Sequence, residues 1–162
     1  MIEGLNEFLD RVFTQIEKAL INLHSWEIDH ICYRTSSLLN YEDAKKYFSK
    51  LGILLIEGDV NGRPIATYKL SNPISYKNYI IPLIEVPAPK SGKETPEGFE
   101  HIEIVIDVPF DEILDMYPHC QFEKKGLSKK LNPELEIEFE DCAIKFHHLS
   151  LEKVIEIEKE LL

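Results

Sequence analysis

Apolar residues Ile2, Leu5, Leu9, Val12, Phe13, Ile16 and Leu20 recur at helical spacing, with acidic and polar side chains between them. The spacing predicts an amphipathic helix over residues 2–23 whose apolar stripe covers a sheet. From Ile28 to Thr35 the period drops to two, the mark of a strand. Residues 40–51 return to a helical pattern, with Asn40 as N-cap and Gly52 as stop. Strands follow at Ile53–Glu57 and Ile65–Leu70, joined through Asn61-Gly62, a pair that tolerates the positive φ of a tight hairpin. Tyr79–Val86 is a further strand, closed by Pro87 and Pro89.

Residues 87–98 hold three prolines, two glycines and several charges, and mark a linker. Beyond it the order recurs: a strand at Phe99–Ile106, a short helix at Phe110–Tyr117, and a weak strand near Cys120–Glu123. Strands at Leu135–Phe139 and Cys142–His147 precede a last helix over residues 150–161, capped by Ser150 with Glu152 against its positive end. Asp29-His30-Ile31 opens the first half and Glu100-His101-Ile102 the second. The pattern predicts one α+β domain over residues 1–162, with pseudo-repeated modules at roughly 28–86 and 99–148.

A formal net charge of -11 repels phosphate backbones and anionic lipid, so neither nucleic acid nor membrane is an expected partner. No apolar run is long enough to cross a bilayer, and Glu3, Glu7, Asp10 and Arg11 interrupt any secretion-type segment. Cys32, Cys120 and Cys142 are odd in number and widely spaced, which argues against a disulfide framework and for a reducing, cytoplasmic setting. No nucleophile-elbow, phosphate-loop or dinucleotide motif is present.

Candidate chemistry comes from strand parity. His30, Cys32 and Arg34 share one face of the first strand, and Ile81, Leu83 and Glu85 share one of the fourth. In the second half His101, Glu103 and Val105 oppose Ile102, Ile104 and Ile106, and Ala143, Lys145 and His147 oppose Cys142, Ile144 and Phe146. The apolar faces are expected under helices, and parity assigns His148 to one of them. A solvated face accounts for such polar residues equally well, but histidines at corresponding positions and a carboxylate inside an apolar run point to a shared site. Two imidazoles and a carboxylate suit Zn, Ni, Co, Fe or Mn, with His30, Glu85 and His101 as ligands and His147 as fourth ligand or base. Glu103 is a partner to His101 or an acid–base group, and Arg34, Arg63 and Lys145 are cations for an anionic substrate or for salt bridges. A Cys32–His30 thiol–imidazole pair is the lesser alternative.

Across Asp29-His30-Ile31, Asn61-Gly62-Arg63-Pro64-Ile65, Ile84-Glu85-Val86-Pro87, residues 98–105, Leu131-Asn132-Pro133 and Ile144-Lys145-Phe146-His147, the sequence resembles the YecM-like family of the vicinal oxygen chelate superfamily. The resemblance implies paired βαβββ modules forming a curled mixed sheet around a metal-binding cleft, with added N- and C-terminal helices. It places metal ligands at His30, Glu85, His101 and the last strand, where His147 stands in place of the glutamate usual in glyoxalase-type sites. It further implies a divalent-metal isomerase- or oxygenase-like enzyme acting on a small, oxygen-rich substrate. The alternatives are a non-catalytic small-ligand-binding module using the same cleft, and an interaction protein with incidental histidines. Monomer and homodimer are both compatible with the sequence.

Overall fold

Residues His30–Glu100 form one unit of the chain, and the segment ending at Asp29 joins His101–Leu162 in another. The structure, a computed structural model, describes residues 2–162. Four α-helices and seven strands in mixed parallel and antiparallel pairing, counted among the described residues, make an α+β fold.

In the first unit, β1 (Glu27–Arg34) leads through α2 (Leu38–Ser49) to β2 (Gly52–Val60), β3 (Arg63–Tyr76) and β4 (Tyr79–Pro87), following α1 (Leu5–Lys18) in chain order. The strands lie in the order β2-β3-β4-β1, with β1 parallel to β4 and the other pairs antiparallel. Asn61 and Gly62, at φ 54° and 82°, turn β2 into β3 as predicted, and Asp59 Oδ1 accepts the Gly62 N–H at 2.9 Å. Strand β3 runs beyond its expected end because an irregularity between Lys69 and Ile74 absorbs Pro73. The parity reading holds here. Tyr33 and Tyr68, on the apolar face, meet Phe48 of α2 at ring separations of 5.7 and 6.2 Å.

Helix α2 starts earlier than predicted. Ser37, not Asn40, is the N-cap, its hydroxyl accepting the Asn40 N–H at 3.0 Å. Gly52 is not a helix stop either; it opens β2, opposite Leu70. A Cβ there would collide with the backbone of Lys69 and Leu70, a clash no rotamer can relieve. Gly52→Ala is therefore expected to cost about 1–3 kcal/mol, measurable by urea denaturation. A change within experimental error would mean that β3 yields freely.

Lys45 of α2 donates to Glu57 of β2 at 2.7 Å, and this hydrogen bond chiefly raises the lysine pKa. A raised folded-state pKa adds stability below the unfolded value of about 10.4 and loses it as pH climbs through the folded one. Glu57→Gln should flatten that alkaline limb of the stability curve, and an unchanged limb would exclude the pair as its source.

In the second unit, β5 (Gly98–Val105), α3 (Phe110–Met116), β6 (Glu134–Glu138) and β7 (Ala143–His147) lead to α4 (Leu151–Glu160). The order β5-β7-β6 has β5 parallel and β6 antiparallel to β7, the pattern that β1, β4 and β3 follow in the other unit. The strand expected at Cys120–Glu123 is reduced to one bridge, Glu123 to Glu136, so this half is shorter than βαβββ. Leu5, Leu9, Val12, Phe13 and Ile16 of α1 are buried as predicted. Leu20 is not, because the helix ends at Lys18 and Leu20 turns outward at φ 57°. Ser150 caps α4 by accepting the Lys153 N–H, in agreement with the sequence.

Candidate metal centre

Strand register sets out the polar face of β5, β7 and β6 in rows. His101, Ala143 and Glu138 form one, Glu103, Lys145 and Glu136 the next, and Val105, His147 and Glu134 the third. The opposite face, with Ile102, Ile104, Ile144, Phe146, Leu135 and Ile137, is wholly buried. On the polar face His101, Glu103, Glu134 and His147 are buried, and a buried ionisable group is costly without a partner. Each of these four has one.

His101 Nε2 lies 3.1 Å from Glu103 Oε1, an acceptor, so Nε2 carries the proton and donates it. Nδ1 is then the atom through which His101 would bind a metal. Lys145 Nζ donates to Glu134 Oε1 at 3.3 Å and stands 3.9 Å from Glu103 Oε1 and 4.0 Å from Glu136 Oε2. Lys129 adds a second cation at 2.9 Å from Glu134. His147 Nε2 faces Asp29 Oδ1 at 3.1 Å, and its Nδ1 lies 2.8 Å from Asn132 Nδ2 and 3.4 Å from Glu103 Oε2. Asp29 uses its other oxygen to accept the Leu151 N–H at 2.6 Å, where α4 begins and its dipole favours a carboxylate.

In the other unit, His30 and Cys32 of β1 are in register with Leu83 and Glu85 of β4, and Thr67 of β3 lies opposite Glu85. A ring nitrogen of His30 and a carboxylate oxygen of Glu85 come within 4.8 Å of each other. Two ligands of one ion, each about 2.0–2.2 Å from it, fall inside that separation. Imidazole and carboxylate, one buried and one half-buried, thus fit a divalent transition metal here. His101, with Glu103 behind it, fits the same chemistry in its own unit.

The candidate cations all have protein partners. Arg34 Nη2 meets Glu100 Oε1 at 3.4 Å, Arg63 Nη1 donates to the Ala88 carbonyl at 3.3 Å, and Lys145 serves three carboxylates. His148 lies beyond the end of β7, on the side of α3 as parity assigned, but it is exposed. Its Nε2 lies 2.8 Å from the Val108 carbonyl and its ring packs 4.4 Å from Phe110. Periodicity passed over Asp29, Asn132 and Glu134 as members of the polar cluster. Asp29 stood next to His30 in the quoted triplet and Asn132 within Leu131-Asn132-Pro133, but neither segment shows that it meets His147.

No helix among the described residues is long and apolar enough to cross a membrane. The family model described as YecM protein matches residues 1–158. Protein YecM of Escherichia coli is 30% identical over 156 residues, covering 86% of this chain and 82% of that protein. The structural-genomics structure of Protein EC4020 is similar at a TM-score of 0.82 and 27% identity, over 95% of this chain and 88% of that one. A Streptomyces coelicolor methylmalonyl-CoA epimerase in complex with 2-nitronate-propionyl-CoA has a TM-score of 0.56 at 13% identity, over 78% of this chain and 97% of that one. At that identity the likeness is one of fold.

Proposed function

This chain belongs to the YecM family and has a fold like that of a vicinal oxygen chelate enzyme, and on that premise we propose that it is a divalent-metal-dependent enzyme acting on a small, oxygen-rich substrate by isomerase-like proton transfer. His30, Glu85 and His101 are the proposed ligands. A bound divalent ion supplies positive charge that polarises a substrate oxygen. Glu103 holds His101 in one tautomer by accepting its Nε2 proton, as carboxylates behind metal-binding histidines do. His147 keeps its own proton at Nε2 against Asp29 Oδ1, and with Glu103 provides the acid–base groups of the site. Arg34, Arg63 and Lys145 are cations that would exchange a protein partner for a substrate carboxylate.

The observation that carries this reading is the buried His101–Glu103 pair at 3.1 Å, because a carboxylate fixing one imidazole nitrogen leaves the other oriented as a ligand atom. Elemental analysis of protein purified without chelator and reconstituted with zinc or manganese is expected to find about one equivalent of metal per chain. His30→Ala and His101→Ala should each remove it. Full metal content in both variants would reject the assignment, as would its absence from the parent protein.

A further inference from the structure

We infer that Asn132 is a positioning residue that holds the ring proton of His147 on Nε2 and engages the Nδ1 lone pair that a metal would need. The inference deepens the proposed site by deciding between two roles for His147, ligand or proton carrier, and it rests on geometry within one unit.

Asn132 Oδ1 accepts the Leu149 N–H at 3.0 Å, while its Nδ2 donates to the Leu149 carbonyl at 2.9 Å. Exchanging the two amide atoms would set N–H against N–H and oxygen against oxygen, so the backbone of one residue fixes the assignment. Asn132 has φ 55°, a left-handed conformation that asparagine adopts more readily than most residues. The second N–H of Nδ2 therefore points at His147 Nδ1, 2.8 Å away. A donor at that distance requires Nδ1 to be the acceptor, and a neutral imidazole whose Nδ1 accepts carries its proton on Nε2.

Nε2 meets the acceptor that this tautomer needs. Asp29 Oδ1 lies 3.1 Å away, and Asp29 is held in place by the Leu151 N–H on its other oxygen. Glu103 Oε2, at 3.4 Å from Nδ1, is the longer contact and does not displace the amide. Two anchored partners, one donor and one acceptor, thus specify the same proton position from opposite sides of the ring. His147 is 2% exposed, so bulk water does not compete for either nitrogen.

The test is imidazole nitrogen NMR on labelled, metal-free protein, with His147 assigned by loss of its signals in His147→Gln. The expected spectrum has a protonated, pyrrole-type Nε2 and an unprotonated, pyridine-type Nδ1. Asn132→Asp retains the left-handed backbone and the acceptor for Leu149 but presents oxygen to Nδ1, and it should protonate Nδ1 as well, since Asp29 still accepts from Nε2. Asn132→Gly, which keeps the backbone and removes the amide, should give a mixture of the two forms. A parent spectrum with a pyridine-type Nε2 would overturn the inference, as would identical His147 signals in the parent and in Asn132→Asp. The parent spectrum decides the matter even where a variant does not fold.

Adding zinc separates this inference from the proposed function. The His101 signals should shift while those of His147 keep their tautomer. Loss of the His147 tautomer on zinc binding would refute the inference alone, and no shift at His101 would refute only the metal assignment.

Discussion

Asp29→Ala is expected to lower folding stability by about 3 kcal/mol, because it leaves one buried and one part-buried donor without an acceptor at about 1–3 kcal/mol each. The donors are His147 Nε2–H and the first backbone N–H of α4. Asp29 is 1% exposed, so water cannot take its place. The loss should appear as a lower denaturation midpoint with little change in slope, since the surface exposed on unfolding barely alters. Asp29→Asn, which keeps one oxygen, should recover part of it. A cost under about 1 kcal/mol for the alanine variant would mean that Asp29 does not secure His147 and α4 together.

Glu103→Ala is expected to weaken metal binding about 10–100-fold, the usual effect of removing the group that orients a ligating histidine. Deleting Glu103 frees His101 to turn and to exchange tautomers, so part of the binding energy goes into ordering the ring. Lys145 retains Glu134 and Glu136 as partners, which limits the damage to the strand face. Glu103→Gln, with an acceptor of the same shape but no charge, should fall between the parent and the alanine variant. Isothermal titration with zinc gives all three affinities. Equal affinities would show that Glu103 does not act through His101.

Much of this arrangement was legible in the sequence, for a definite reason. Side chains of a regular strand alternate, so once β1, β4, β5 and β7 were located, parity placed His30 with Glu85 and His101 with Glu103 on the same faces. The Asn61-Gly62 turn and the Ser150 cap were readable because few residues do those jobs well.

What escaped depended on contacts far apart in the chain. The cap of α2 fell to Ser37 because Asn40 competes as a capping residue and local pattern does not rank the two. Asp29 looked like a neighbour of a candidate ligand, yet its oxygens reach across 118 and 122 positions to His147 and Leu151. Asn132 looked like a turn residue, and its action on His147 follows only from the Leu149 backbone that clamps its amide. The bridge at Glu123 shows the opposite case, in which a correct local preference found too little partner strand to extend.

His30, Glu85 and His101 are the proposed ligands to one divalent ion. Anomalous scattering from crystals grown with zinc tests this assignment most directly. The account predicts a single strong peak about 2.0–2.3 Å from a ring nitrogen of His30, a carboxylate oxygen of Glu85 and Nδ1 of His101, with His147 outside bonding distance. A peak bonded to His147 instead of His101, or no peak near these three side chains at saturating zinc, would contradict it.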